Sequence, residues 1–524
     1  MQHNPASLHL SKKSIVKKTF QVGALTFLSR MLGILREALQ IQFFGIGILS
    51  DAFIVAFRIP NLFRQVFAEG AMNGSFVPVM VQLVKKGKKE VASGLVSLGF
   101  IFFQSIILLL YLFVYFKTEW VVMLLAAGFS ADRAAHTVEF LRILFPFLFL
   151  VSASALFAGA LTSVNHFFIP ALGPAIWNFV YVLIITLGIW FKLTPVFICW
   201  GVLVAGAVQL ILHVITYFMC HFTFGRITEE VIESFKLVLR KFIPCFLGVS
   251  IIEINLLVSG IVASFLPEGS VSLLFYGARF LQLPIGIFAV AFSSILLPHF
   301  SRLVLYAPRR MSFYLLEVTK FVCWVIIPIT LFFALVSKNL FVTLFSFKSG
   351  ALAHADQAAW ILIVYITGLL FICLSRVLMN IFYSFKDTVS ATIISVVGAL
   401  VNLVGDIIGM QIWGAYGIAG AASLASLVMV ILSYVFLRKK HNLRFYPGNF
   451  IKFLARYLAQ ISVFIFIGFV LYSMLNFLFA GLMRAALANL LGFWFITCLA
   501  FGLLFLALLI TKKRFGIRVY FIKR

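Results

Sequence analysis

Residues 29–78 read SRMLGILREALQIQFFGIGILSDAFIVAFRIPNLFRQVFAEGAMNGSFVP, and this stretch decides how the chain folds. Two apolar helical segments here carry Arg30, Arg36, Glu37, Asp51, Arg58, Arg64 and Glu69. A charge near the bilayer centre costs about 2.5–3.5 kcal/mol on insertion scales, so ionisable side chains in such segments face a bundle interior or a wet cavity and carry function. At about 100° per residue, Asp51, Arg58, Gln65 and Glu69 share one helix face, and Arg30, Gly33, Glu37 and Gln40 share another. Two polar stripes predict a wet, net-cationic cavity. Arg64 leaves the stripe on an ideal helix, and Pro60 can kink the helix and change its phase.

The composition agrees with a membrane setting. Of 524 residues, 63% are hydrophobic and 11% charged, with a mean hydropathy of +1.11, which excludes a soluble domain of ordinary composition. Nothing reads as the short alternating strands of a β-barrel. The expected fold is all-α and polytopic. At about 20 apolar residues per crossing, about fourteen spans are read, at roughly 19–43, 52–83, 93–116, 137–161, 170–191, 195–221, 242–265, 271–301, 313–337, 358–383, 389–410, 415–437, 451–479 and 486–510. Pro60, Pro284 and Pro328 are candidate kinks. The first residues lack an apolar core followed by a small-residue cleavage site, so the first helix itself directs insertion.

The net charge of +26 is explained by placement. Of the 42 Lys and Arg, 26 fall in seven tracts: 12–18, 85–89, 226–241, 302–310, Lys386, 438–444 and 512–524. These alternate with poorly charged loops that hold Lys117, Arg133, Lys192, Lys338, Lys348 and Arg484, the positive-inside pattern, with both termini in the cytoplasm. The partners of such tracts are anionic membrane lipids, not nucleic acid. Six scattered cysteines form no metal or disulfide pattern.

The chain also echoes itself. Ala71-MNGSFV-Pro78 ends the second span before a basic loop; Ala291-FSSILL-Pro298 ends the eighth before another, and Arg58 and Arg279 sit at nearly corresponding points. Duplication of a six-helix unit follows, a parallel repeat of the kind that places a transporter's substrate site between its halves. The expected domains are 1–240 (helices one to six), 241–440 (helices seven to twelve), and 441–524, an accessory helix pair with a basic cytoplasmic tail.

No hydrolase, metalloprotease or nucleotide-binding motif is present, so the reading is a secondary transporter, without enzyme activity or organic cofactor. Guanidinium groups bind phosphate oxygens in pairs, and Arg30, Arg36, Arg58, Arg64 and Arg279 predict an anionic substrate. The plainer alternative is that each arginine pairs with Glu37, Asp51 or Glu69 to hold helices together. Asn402 and Asp406 lie one turn apart on span eleven, and Glu253 lies inside span seven. Oxygen ligands of this kind make a candidate site for Na⁺ or H⁺ as coupling ion, against the alternative of an interfacial Asp406 and a structural Glu253. In FYSFKDT (382–388), Asp387 and Thr388 are expected to cap span eleven.

Taken together, SRMLGILREA, DAFIVAFRIPNLFRQVFAEGA with SFVP, ARFLQLPIGIFAVAFSSILLP and FYSFKDT resemble the MurJ (MviN-like) lipid II flippases of bacteria, within the multidrug/oligosaccharidyl-lipid/polysaccharide exporter superfamily. The resemblance runs the length of the chain. It implies fourteen helices in two six-helix lobes forming a V, and a last helix pair grooved for the undecaprenyl tail. It also implies alternating-access transfer of the lipid-linked disaccharide-pentapeptide across the cytoplasmic membrane. In that family the charges of helices one, two and eight matter, matching Arg30, Arg36, Arg58, Arg64 and Arg279, with Asp51 and Glu69 as family acids. Gln282 stands where relatives can carry Glu, and Gln65 where a second Arg is common. Some members bind Na⁺ through positions similar to Glu253, Asn402 and Asp406. The rival functions are a multidrug or organic-cation antiporter of the same superfamily, and a non-transporting scaffold that would partner cell-wall synthesis proteins.

Overall fold

A computed structural model describes residues 12–65, 72–346, 349–478 and 490–521; Glu69 lies outside them. The described residues are helical with no strand among them. In order they form α1 (Lys12–Phe44), α2 (Ile48–Arg64), α3 (Met72–Lys85), α4 (Lys89–Phe116), α5 (Thr118–Leu125), α6 (Ala131–Leu144), α7 (Phe147–Ser163), α8 (Phe168–Trp190), α9 (Pro195–Met219) and α10 (Glu229–Ala263). There follow α11 (Ser270–Pro284), a π-helical stretch (Ile285–Val290), α12 (Ala291–Tyr306), α13 (Met311–Phe345), α14 (Ser349–Leu352), α15 (Ala355–Thr367), α16 (Leu369–Ser384), α17 (Thr388–Trp413), α18 (Ala415–His441), α19 (Pro447–Leu478) and α20 (Leu490–Thr511).

Among the described residues, ten helical stretches are long and apolar enough to cross a membrane. The remaining expected spans, one, two, seven and eight, correspond to α1, α2 with α3, α10, and α11 with α12. Those four hold Arg30, Arg36, Glu37, Asp51, Arg58, Arg64, Glu253 and Arg279, whereas Asp406 lies in α17, one of the ten. The three candidate kinks behave differently. Pro60 and Pro328 lie inside continuous α2 and α13, whereas Pro284 ends α11 and hands the chain to the π-helical stretch. Proline lacks the N–H that an α-helix needs, and wider turns of this kind recur at functional positions.

Two compact units make up the chain: residues 1–272 with 344–354, and 273–343 with 355–524. In the first, α3, α4, α7, α9 and α10 bury Phe76, Leu95, Leu156, Tyr217 and Phe235 in one core. Residue 241, the expected start of the second repeat, falls within α10, which packs on α3 and α4 in this unit. In the second unit, α17 and α18 form a tight hairpin through Gly414. Gly409 and Gly417 let the two backbones touch, since a Cβ on Gly417 would overlap the Gly409 carbonyl. Asp387 caps α17, accepting from Ser390 N at 3.0 Å, and its other oxygen meets His441 Nε2 at 2.9 Å. Thr388 is the first helical residue rather than a second cap.

The sequence echo recurs in the backbone. Residues with positive φ close helices at Asn165 (62°), Lys192 (52°) and His221 (57°). Lys386 (59°), Gly414 (59°) and Asn442 (53°) do the same in the later half. Each pair is separated by about 221 residues, the offset of Arg58 and Arg279.

Candidate substrate site

Arg30 and Arg36 lie less than two turns apart on α1, yet the fold treats them oppositely. Arg36 is buried. Its Nη1 donates to Asn178 Oδ1 at 3.1 Å, its Nη2 meets Glu37 Oε1 at 2.8 Å, and its guanidinium lies 5.2 Å from the Trp177 ring. Asn178 Nδ2 donates back to Ser29 O at 3.1 Å, and Gln40 Nε2 donates to Tyr181 OH at 3.2 Å. Much of the α1 stripe expected to line a wet cavity therefore turns onto α8. Arg30 is exposed, with no hydrogen-bond or ion-pair partner among the described residues.

On α2 the acid and the bases also separate. Asp51, in the first turn, is fully buried. One carboxylate oxygen accepts from Gly269 N at 2.8 Å; the other accepts from Ser272 N at 2.8 Å and from Ser272 Oγ. These donors open α11, whose N-terminal N–H groups have no partner within their own helix. The carboxylate thus caps a second helix, and its charge complements the positive ends of both helix dipoles. Arg133, counted from the sequence among the loop charges, is buried here instead. Its Nη1 stands 3.6 Å from Asp51 Oδ2 and 3.3 Å from Leu266 O, and its guanidinium lies 4.6 Å from the Phe129 ring.

Arg58 is half-buried, with its guanidinium pressed against Gly260 of α10, where a Cβ would overlap it. Arg64 Nε donates to Asn61 Oδ1 at 3.1 Å within the same helix. In the second unit, Arg279 Nη1 donates to Gln282 Oε1 at 3.2 Å, and its guanidinium lies 5.7 Å from the Phe275 ring. Gln282 is exposed. Of the candidate ion ligands, Glu253 is buried on α10 in the first unit, while Asn402 and Asp406 are buried on α17 in the second. Ser272, Arg133, Asn178 and Trp177 were not singled out from sequence. The repeat offset does point to one of them, because residue 51 plus 221 is residue 272.

An arginine-rich pair of helices on this all-α frame suits an anionic ligand, and comparison with known proteins supplies the family. The sequence pattern of the lipid II flippase MurJ family matches residues 41–492. This chain belongs to the MurJ family. A probable MurJ of Bdellovibrio bacteriovorus is 29% identical over 458 residues, covering 84% of this chain and 85% of that one. The MurJ of Burkholderia cenocepacia is 26% identical over 443 residues, covering 83% and 86%. A solved MurJ in an inward closed conformation superposes with a TM-score of 0.76 at 26% identity, covering 95% of this chain and 99% of that one. An inward-facing multidrug transporter of the MATE family, at 14% identity and a TM-score of 0.68 over 78% of this chain and 93% of that one, shares the fold alone. MurJ proteins are transporters rather than a family of known catalysts, and the fold is that of a multi-pass membrane protein.

Proposed function

We propose that this chain carries lipid II across the bacterial cytoplasmic membrane, from inner to outer leaflet, by alternating access, and that Arg30 binds its diphosphate. The carrying observation is the state of Arg30: an exposed guanidinium on a membrane helix, with no protein partner among the described residues, is positioned for an anionic ligand. Arg58 and Arg64 on α2, and Arg279 in the second unit, offer groups of the same chemistry. Arg36, held by Asn178 and Glu37, positions α1 against α8. The exposed Arg30 guanidinium disfavours an organic-cation substrate. Transfer involves no covalent step; the carrier must bind head group comparably in its two states and not too tightly.

Arg30→Ala should abolish outer-leaflet delivery of lipid II while leaving the protein inserted and folded. Arg30→Lys should restore it only in part, because an ammonium cannot make the paired contact. Full delivery by the alanine variant would remove the diphosphate role. The basic tracts support a cytoplasmic location for both termini. Without a nucleotide-binding motif in the sequence, direction must come from an ion gradient, the membrane potential or substrate flux, and one elementary charge crossing the membrane potential is worth about 2.3 kcal/mol per 100 mV. Glu253, Asn402 and Asp406 are the residues proposed to serve Na⁺ or H⁺ coupling. Asp406→Ala should then weaken the response of transport to Na⁺ and potential more than it weakens lipid II binding; an unchanged response would make these groups structural.

A further inference from the structure

The first unit holds a cavity of about 890 Å³, to whose lining α1 and α2 contribute no residue among those described. It lies among the end of α4, α5, α6 and the start of α9, and its lining includes Tyr111, Tyr115, Glu119, Glu139, Arg142 and Trp200. That volume falls within the roughly 300–1,000 Å³ typical of small-ligand sites.

Its depth can be placed from the chain. Lys89 opens α4 in a basic tract, and its Nζ donates to Cys220 O at 2.8 Å, so the far end of α9 returns to that same level. Tyr111 and Tyr115 lie about 33–39 Å along α4 from Lys89 at 1.5 Å per residue. The hydrocarbon core is about 30 Å thick. The cavity therefore sits at the headgroup level of the leaflet opposite the basic tracts, the outer one on the positive-inside pattern. Exposed Trp120, Trp190 and Trp200 mark the same interface, where amphipathic rings concentrate.

The charges in the lining are not satisfied by one another. Arg142 Nε donates to Thr118 Oγ1 at 3.2 Å, and its guanidinium lies 5.9 Å from the Tyr115 ring. No ion pair among the described residues joins Arg142 to Glu119 or Glu139, although Glu139 is one turn away. Glu139 meets His136 Nδ1 at 3.9 Å, and Glu119 has no hydrogen-bond or ion-pair partner among the described residues. Such a lining fits a ligand that brings both signs. Along α9 the next exposed residues after Trp200 are Val204 and Val208, an apolar track leading away from the cavity towards the membrane interior.

We propose that this cavity binds the headgroup of an outer-leaflet phospholipid that carries both a primary ammonium and a phosphate. Glu119 and Glu139 take the ammonium, with the Tyr115 and Trp200 faces beside it; Arg142 takes the phosphate; and the acyl chains follow Val204 and Val208. Carboxylates hydrogen-bond a primary ammonium, and aromatic faces attract any cation. The proposal does not depend on the lipid II reading.

The test uses the full-length protein extracted from membranes containing phosphatidylethanolamine and phosphatidylglycerol, with retained lipid measured by native mass spectrometry. The double variant Glu119→Gln/Glu139→Gln leaves the Arg142–Thr118 contact in place and should lower phosphatidylethanolamine retention by about tenfold, the size expected for charge-assisted hydrogen bonds. Phosphatidylglycerol retention should not fall. Unchanged phosphatidylethanolamine retention, or a wild-type preference for phosphatidylglycerol, would overturn the proposal. So would a photo-crosslinker at Ala135 that captures a protein in cells instead of lipid.

Discussion

Arg36 and Asp51 on one side, and Arg30 on the other, come from the same short stretch of charged membrane helix, and they have different jobs. The first two are surrounded by their partners: Asn178, Glu37 and Trp177 for one, Gly269, Ser272 and Arg133 for the other. Arg30 is left to the exterior of its unit. A charge in a membrane helix can thus be structural or available to ligand, and burial together with a partner list separates the two. Stability and transport should separate along the same line.

The sharpest break of that comparison is Asp51→Ala. It leaves Arg133 buried without its carboxylate and uncaps α11, and removing one member of a buried charged pair costs about 3–5 kcal/mol. A thermal-unfolding scan of the purified protein should show the largest fall of any variant named here; an unaltered midpoint would return Asp51 to the ligand-binding group. Arg36→Ala should follow, at about 1.5–3 kcal/mol for lost hydrogen bonds to a charged group. Arg30→Ala should stay within about 0.5 kcal/mol of the parent, as exposed sites do, while transport collapses. Comparable destabilisation by Arg30→Ala and Arg36→Ala would erase the distinction.

The smallest effect concerns Asp387, outside the membrane-spanning segments. Burial pushes its carboxyl up, but hydrogen bonds from Ser390 and His441 and the nearby Lys440 charge prevail and hold it down at about 2, against an ordinary 3.8. Because the folded value is depressed, its stabilising contribution is present above about pH 4 and is lost as pH falls towards 2. The difference in midpoint between the parent and Asp387→Ala should therefore shrink across that window. A constant difference would assign the residue a role independent of its charge.

The all-α membrane fold was readable because hydropathy and the basic tracts are properties of contiguous sequence, and the Asp387 cap because its partner lies three residues on. Asp51 was readable as important but not as a cap, since its donors lie more than 200 residues away. Arg36 was grouped with Arg30 by its guanidinium chemistry, which says nothing of what the helix face around it meets. On α1 it meets Asn178 and Tyr181 of α8, whose polar atoms look unremarkable within an apolar helix. Arg133 was lost for a different reason: near a helix start, a charge that points into the protein has the same sequence signature as one that points into water.

Ser272 follows Asp51 by 221 residues, the offset that separates Arg58 from Arg279, so this hydrogen bond joins two positions that the sequence echo pairs. Two identical polypeptides meeting there could only set aspartate against aspartate or serine against serine, the first repulsive and the second uncharged. Within one chain the first position can be the acceptor and the second the donor. Making both positions Asp or both Ser would recreate the symmetric contact that the present pair avoids.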